Sequence, residues 1–261
     1  MAIIAGVKHS RTLLTLLAAA ALLAGCFVPV VVEEPTPIVV LEPDATATAT
    51  TVWFPATATP SPFPTPVVNP TADMRPGVGE LLLEDSFEDE AVWTTSSDAD
   101  ASAQVANGRL SLVLKSTRSY LVSTRSGPVF QNFYAEITAT TNFCQGDDEY
   151  GLIVRALDGD HFRFALSCDG RAKVDRFVSG GLTRQVGWVS SGAIPSLAPS
   201  STRLAVWAAG SQMHFFVNGF YLFSVTDSQL FRGTVGAFVH TASDRDVSVG
   251  FSDLQVWQVD R

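Results

Sequence analysis

Acidic side chains are the groups of this chain whose type and spacing could perform catalysis. Two carboxyl groups roughly 5 Å apart can act as proton donor and nucleophile when a bond is cleaved. The candidates are Glu84–Glu90, Glu136 and Asp147–Glu149. The first has unsuitable spacing at a predicted edge strand and loop, and the second is alone on its strand. The third enters a strand from a loop, as a solvated or cation-attracting cluster does. The sequence therefore predicts no enzyme, with a site assembled from dispersed residues as the alternative.

The positions of the histidines and the net charge argue against two further classes of function, which are cofactor-dependent catalysis and nucleic-acid binding. His9, His161, His214 and His240 have neither metal-ligand spacing nor a Cys or Ser partner in sequence, so no catalytic cofactor is expected. Residues 80–261 carry 14 basic and 21 acidic side chains, without a stripe of Lys or Arg. Such an acidic domain lacks the electrostatic footprint of a nucleic-acid-binding protein. No nucleic-acid partner is predicted.

A membrane anchor is indicated where an N-terminal apolar run ends in Leu22-Leu23-Ala24-Gly25-Cys26. Lys8 and Arg11 precede the run, which is too short to span a bilayer because spanning needs roughly 20 apolar residues. The pattern resembles the lipobox of bacterial lipoproteins. The resemblance implies that residues 1–25 are a signal peptide, that Cys26 carries a diacylglyceryl thioether, and that its new amine is open to acylation, as by palmitate.

A chance cysteine after an ordinary secretory signal is the alternative. Two or more acyl chains give stable attachment to a membrane. The lipid bilayer is therefore an expected partner through acylated Cys26, and the expected location is the cell membrane, facing its extracellular or periplasmic side.

Proline dominates the next segment, which we assign as a disordered Pro/Thr-rich linker over residues 26–78. Eleven of the 14 prolines lie between positions 27 and 78, interleaved with Thr, Ala and Val. Proline fixes φ and removes an amide donor, so neither a helix nor a central strand persists there. The segment is predicted to act as a stalk that holds a folded domain away from the lipid.

Residues 79–261 read as an all-β domain. Short alternating runs rich in Val, Phe, Tyr and Ile recur every 8 to 12 residues, as in Arg109–Leu114 and Gln212–Val217. Turn signals separate them, including Asp158-Gly159-Asp160 and Asn218-Gly219, where a type I′ hairpin needs positive φ at both central residues. The predicted fold is an antiparallel two-sheet sandwich.

This domain resembles concanavalin A-like lectin/glucanase domains. The resemblance covers nearly all of residues 80–261 and rests on LLLEDSFEDEAVW (81–93), ANGRLSLVL (106–114), EYGLIVRALDGDHFRFALSCDGRAKVDRF (149–177), MHFFVNGFYLFSVTD (213–227), RGTVGAFV (232–239) and FSDLQVW (251–257). It implies a jelly roll, similar to laminin-G-like domains, family 16 glycoside hydrolases and 3-keto-disaccharide hydrolase-like domains. The Glu-x-Asp-x-(x)-Glu strand of family 16 enzymes is missing, which again argues against catalysis.

Two cysteines remain if Cys26 is lipidated. Cys144 and Cys168 are an even pair in an exported domain, which favours a disulfide. The bond would attach the loop before one predicted hairpin strand to the end of its partner, and two buried free thiols are the alternative.

A structural calcium ion is a weaker expectation. In many concanavalin A-like jelly rolls, Ca²⁺ lies near the paired terminal strands, held by carbonyl oxygens and by an Asp of the closing strand. The resemblance places Asp253 in that role, with the Gly108 carbonyl as a candidate partner, and hard oxygen ligands suit Ca²⁺. Capping or a salt bridge at the sheet edge is the other role open to Asp253.

Alternation along the strands also yields candidate sugar-binding residues. An aromatic face can stack on the C–H groups of a pyranose while Arg and His donate hydrogen bonds to its hydroxyls. The outward-facing candidates are Arg163, Trp207, His214 and Phe216, with Trp188 and Tyr221 as additions. Ordinary packing beneath covering loops would explain the same aromatic residues.

The function predicted from sequence is thus a non-catalytic jelly-roll binding module on a membrane-anchored surface lipoprotein, with polysaccharide as the expected ligand. A protein-interaction or scaffold domain that binds envelope proteins is the first alternative. An unrecognised glycan hydrolase is the second.

Overall fold

Alternating apolar and polar residues produce the β-strands of this chain. A computed structural model describes residues 73–115 and 117–260. The strands are β1 (Val78–Asp85), β2 (Ser96–Ser97), β3 (Ala101–Ala106), β4 (Arg109–Leu114), β5 (Tyr120–Thr124), β6 (Phe133–Phe143), β7 (Glu149–Leu157), β8 (Asp160–Ser167), β9 (Arg171–Val178), β10 (Gly181–Ser190), β11 (Ser200–Ala209), β12 (Gln212–Val217), β13 (Phe220–Thr226), β14 (Thr234–His240) and β15 (Val247–Val259). A single 3₁₀ turn, Glu90–Val92, is the helical element of the described residues. The signal peptide, Cys26 and the linker up to residue 72 lie outside the described residues.

Two antiparallel sheets form a jelly-roll sandwich, as the sequence predicts. The nine-stranded sheet has the order β13-β12-β11-β6-β15-β4-β3-β2, and β1 also pairs with β15. The six-stranded sheet has the order β10-β9-β8-β7-β14-β5. Among the described residues, no helix is long and apolar enough to cross a membrane.

The main core lies between the sheets and collects one face of each strand. Phe162, Phe164 and Leu166 of β8 enter it, as period-2 alternation predicts, and they pack with residues such as Phe215 and Ile137 of the opposite sheet. The alternate residues of the same strands point away from this core. Both outward faces therefore carry the side chains that can meet a ligand.

Two backbone positions show how local sequence sets this geometry. Asn218 (φ 51°) and Gly219 (φ 81°) connect β12 to β13, so the predicted positive-φ turn is present. Gly151 lies on β7 where a Cβ atom would come within 1.9 Å of the Phe164 carbonyl oxygen. Any larger residue at Gly151 would separate β7 from β8.

The Cys144–Cys168 disulfide is present, which confirms the predicted pairing. The two Cα atoms are 5.6 Å apart, and both residues are buried. The bond ties the loop before β7 to the end of β8. Asp148 of the same loop is buried and accepts hydrogen bonds from the amides of Gln145 and Ala242 (3.2 and 2.9 Å).

Replacing both cysteines by serine is expected to lower the free energy of unfolding by about 3 kcal/mol. The disulfide closes a loop between residues 24 apart, and a crosslink of that length restricts the unfolded chain by about this amount. Denaturant titration of the Cys144→Ser/Cys168→Ser protein measures the loss. Unsubstituted protein in reductant is the control and should match the variant. Equal midpoints for oxidised and substituted protein would contradict the expectation.

Candidate functional site

The outward face of the six-stranded sheet carries buried charges together with aromatic rings. We call this surface the six-stranded face. The residues that define it are Tyr120, Glu149, His161, Arg163, Lys173, Asp175, Phe177, Arg184, Trp188 and His240. Burial of ionic groups is costly unless they are paired, and such groups concentrate at functional sites.

Lys173 is the centre of the face. Its Nζ atom lies 2.8 Å from Glu149 Oε1 and 3.1 Å from Asp175 Oδ2, and only 4% of its side chain is exposed. The Trp188 ring covers the ammonium group at 4.6 Å from the ring centroid. Arg184 Nε, at 3.2 Å, is a second cation beside Asp175.

Small residues make this arrangement possible. Lys173 of β9 pairs with Ala165 of β8, and Ala165 pairs with Gly151 of β7. Neither Ala165 nor Gly151 has a long side chain that would block the surface between the outer strands. The Lys173 side chain can therefore cross β8 and reach Glu149 on β7.

Glu149 is held in its ionised form. Burial raises the pKa of this carboxyl. Hydrogen bonding and charge from His240 and Lys173 lower the pKa by more than burial raises it, so the pKa ends below its usual value. His240 Nδ1 is 3.5 Å from Glu149 Oε1.

Arg163 lies among aromatic rings and has no carboxylate within ion-pair distance among the described residues. Its guanidinium carbon is 4.6 Å from the Tyr120 ring centroid and 5.2 Å from that of Phe177. Arg163 Nε donates to His161 Nε2 (2.9 Å), and His161 Nδ1 donates to the Gly159 carbonyl (2.9 Å). Burial and the Arg163 charge lower the pKa of His161, which keeps the ring neutral in this orientation.

Tyr120 offers the most accessible ring of the face, with 42% of the residue exposed. It stacks on His240 with ring centroids 4.0 Å apart. Burial and the Glu149 charge raise the pKa of the Tyr120 hydroxyl, so it remains a hydrogen-bond donor at neutral pH. The face thus combines a fixed aromatic surface with fixed donors and acceptors.

The same geometry disfavours Glu149 as a general acid. Glu149 and Asp175 contact one ammonium nitrogen, so the contacting oxygens are at most about 6 Å apart, within the range of carboxyl pairs that cleave glycosides. A general acid must, however, hold a proton near neutral pH, which requires a raised pKa. Lys173 between the two groups has the opposite effect on Glu149.

The six sugar-binding residues predicted from sequence do not gather on one sheet. Arg163 and Trp188 lie on β8 and β10 of the six-stranded sheet. Trp207, His214 and Tyr221 lie with Phe216 on β11–β13 of the nine-stranded sheet. Alternation assigned the outward faces but could not tell which strands share a sheet.

The nine-stranded sheet has its own outward cluster of rings, which we call the ring cluster: Tyr134, Trp207, His214 and Phe216. Trp207 and Phe216 are buried although they point away from the main core, because residues 73–77 lie across them. Tyr221 remains exposed beside the cluster.

Beside the ring cluster, two adjoining polar cavities of about 390 and 480 Å³ share Glu136, Thr138 and Arg203. Asp253 lines the larger one. Glu136 accepts a hydrogen bond from the Tyr134 hydroxyl (3.0 Å) and is 3.8 Å from Arg203.

The β15–β4 ladder ends at the pair Phe251–Leu110, two residues before Asp253 and two after Gly108. β15 is irregular between Ser252 and Gln255, so the register does not establish a contact between the two residues expected to hold calcium. Asp253 is exposed, has φ 54° and accepts a hydrogen bond from Ser252 Oγ (2.8 Å). Within residues 73–115 and 117–260, no group of three or more His, Cys, Asp or Glu side chains is arranged for a metal. Calcium held by Asp253 and backbone oxygens stays a proposal.

Sequence reasoning missed Lys173, Asp175, Glu149, Tyr120 and His240. A signal was present in β9, where Lys173, Asp175 and Phe177 alternate with Val174 and Arg176 and therefore share one face. Glu149 was expected in a solvated or cation-attracting cluster; it is buried and bound to the Lys173 ammonium group, because its partners lie on other strands.

No family model matches this sequence, and no curated protein matches it. Solved structures do share its fold. The carbohydrate-binding module CBM66 from Bacillus subtilis is 14% identical, with a TM-score of 0.51 over 64% of this chain and 96% of that one. The catalytic domain of an endo-1,3-β-glucanase from Thermotoga petrophila is 9% identical, with a TM-score of 0.50 over 70% and 98%.

A GH16 protein from Bacteroides ovatus, solved with a G4G4G3G product, is 9% identical, with a TM-score of 0.51 over 67% of this chain and 99% of that one. The protein therefore has the jelly-roll fold that these binding modules and glycosidases share. The fold alone does not choose between binding and catalysis.

Proposed function

We propose that this protein is a membrane-anchored surface lipoprotein whose jelly-roll domain is a non-catalytic glycan-binding module. The six-stranded face is its binding surface. The observation that carries the proposal is the set of ordered polar groups around Lys173 with the Tyr120 and Trp188 rings beside them.

Sugar recognition needs what this face provides. Pyranose rings present apolar C–H patches, which an aromatic ring covers, and hydroxyl groups, which carboxylates and guanidinium groups bind. Arg163 is oriented by His161 and Tyr120, and the half-exposed Arg184 is oriented by buried Asp175. Prior fixation lowers the entropy lost on binding, so weak individual contacts can add to a useful affinity.

Display at the membrane rests on the sequence. The lipobox at Leu22–Cys26 supplies the anchor, and the proline-rich segment supplies distance from the bilayer. A module placed this way meets polysaccharides of the cell wall, the surroundings or neighbouring cells.

A glycan-array screen of the purified protein tests the proposal. Tyr120→Ala and Trp188→Ala are expected to weaken binding of a recognised glycan at least about tenfold, the cost of losing a central aromatic contact. Phe220→Ala, at an exposed aromatic residue of the nine-stranded sheet, is the matched control and should bind as the unsubstituted protein does.

Other outcomes would redirect the proposal. If Phe220→Ala weakens glycan binding as much as Tyr120→Ala does, the six-stranded face is not the binding site. No glycan bound by folded protein would favour the envelope-protein scaffold. Release of reducing sugar from a bound glycan would make the protein a hydrolase.

A further inference from the structure

The chain immediately before β1 is bound by side chains of the ring cluster. Trp207 Nε1 donates to the Pro76 carbonyl (2.9 Å), and His214 Nδ1 donates to the Met74 carbonyl (2.6 Å). The two accepting carbonyls are two residues apart, in a segment that bends at Met74 and Arg75 and turns at Pro76 and Gly77. These contacts use the peptide backbone and two ring N–H groups.

The two donors are held together by the sheet. Trp207 and His214 are directly opposite each other in the β11–β12 ladder. Their rings stack with centroids 4.6 Å apart and an interplanar angle of 21°. Because cross-strand neighbours fix each other, the donors are ordered independently of the peptide they meet.

Arg75, the residue between the two bound carbonyls, lies over the remaining rings. Its guanidinium carbon is 5.8 Å from the Tyr134 ring centroid and 5.6 Å from that of Phe216. Cation–π contacts of this kind favour Arg over uncharged residues. Arg75 is the only Lys or Arg between positions 27 and 78, so it is the one cation that this segment can place over the rings.

Burial adds a reason for the site to be filled. Trp207 is only 5% exposed and Phe216 only 2%. Removal of the peptide would expose both rings and leave two ring N–H donors without their carbonyl partners. Surfaces that contact only water are mostly polar, and a large exposed apolar patch usually marks a binding site.

We propose that the ring cluster is a binding site for a Met-Arg-Pro peptide in a bent conformation, and that residues 73–77 of the same chain are its resident ligand. The site fixes the end of the linker to the domain and covers the Trp207 and Phe216 rings. The inference is independent of the proposed glycan binding, which uses the opposite sheet.

Hydrogen exchange of indole N–H groups, followed by NMR in the unsubstituted protein and in Arg75→Ala, tests the contact. We expect the Trp207 indole to exchange at least about tenfold faster in Arg75→Ala, since the residue that holds the peptide on the rings is gone. The Trp93 indole, which donates to Asp85 (3.1 Å), is an internal control and should not change. Equal Trp207 exchange in both proteins would overturn the proposal.

A second experiment tests recognition itself. In a protein with Met74→Gly, Arg75→Gly and Pro76→Gly, which we call the emptied protein, the segment keeps its carbonyls but loses the side chains that pack on the rings. It should therefore leave the site readily, and a synthetic peptide of residues 73–78 should bind there in trans. The unsubstituted protein should bind the peptide at least about tenfold more weakly, because a tethered segment competes at millimolar effective concentration. The peptide with Arg75→Ala is the matched control and should lose affinity.

Failure of the peptide to bind the emptied, folded protein would overturn the recognition site and leave ordinary packing. Peptide binding that survives Trp207→Phe in the emptied protein would overturn it as well, since the indole donor would then be dispensable. Neither result bears on glycan binding at the six-stranded face, so the two proposals fail separately.

Discussion

Lys173→Met is expected to lower the free energy of unfolding by about 3–5 kcal/mol, the usual effect of removing one partner from a buried ion pair. The ammonium group is bonded to both Glu149 and Asp175, which are themselves almost fully buried. Without it, Glu149 keeps only His240 and Asp175 keeps only Arg184. Urea titration measures the change, provided that the slope of the transition is unchanged.

A matched surface pair separates burial from charge in that experiment. Arg203 is 3.8 Å from Glu136, and 60% of its side chain is exposed. Arg203→Met should therefore change the stability by less than about 1 kcal/mol. Adding Glu149→Gln to Lys173→Met should cost less than the sum of the single changes, because the groups act together. A neutral or stabilising Lys173→Met would show that the charges are kept for binding and not for folding.

Arg155→Ala is the second change with a large expected effect. It should lower the free energy of unfolding by about 3 kcal/mol or more. Arg155 is completely buried, and it donates to the carbonyls of Leu230 and Gly210 at 2.7 Å each. It thus holds the β13–β14 and β11–β12 connections together. Its removal creates a cavity and leaves two carbonyl groups without these donors.

The environment of Arg155 makes it unusual even as a structural residue. Burial lowers its pKa to about 10, and its backbone is in the left-handed region (φ 55°). Arg232, exposed in the connection before β14, is the matched control, and Arg232→Ala should leave the urea midpoint unchanged. Arg155→Lys should recover only part of the stability, because one ammonium group does not reproduce the guanidinium fork. Full recovery with Lys would contradict the two-carbonyl role.

Strand positions were predictable where alternation was strong. The predicted bounds of β4 and β12 agree with the structure, because each strand has one face in the core and one outside. β5 was missed, since Tyr120–Thr124 is short and follows a loop without a turn signal. Strict alternation in β7 would place Arg155 on the outward face, opposite to Val154, but the register shift after Val154 breaks the period there.

Site prediction was limited by topology. Trp207 and Arg163 have the same pattern in sequence, yet they occupy opposite sheets because the chain leaves the six-stranded sheet after β10 and enters the nine-stranded sheet at β11. The linker assignment also ran through residue 78, since composition cannot tell that Met74 and Pro76 present carbonyls to the ring cluster. In both cases the deciding contacts join residues far apart in the chain.

The pairing of β1 with β15 has a mechanical consequence for a tethered protein. β1 begins at Val78, directly after the bound segment, and runs antiparallel to Leu254–Val259 of the closing strand. Inter-strand hydrogen bonds in an antiparallel pair are perpendicular to the strands. A pull on the N-terminal end of β1 acts along the strand. It therefore stresses all of these hydrogen bonds at once, in shear, and does not break them one after another. Under the proposed anchoring and glycan binding, this pairing would resist drag on a bound polysaccharide.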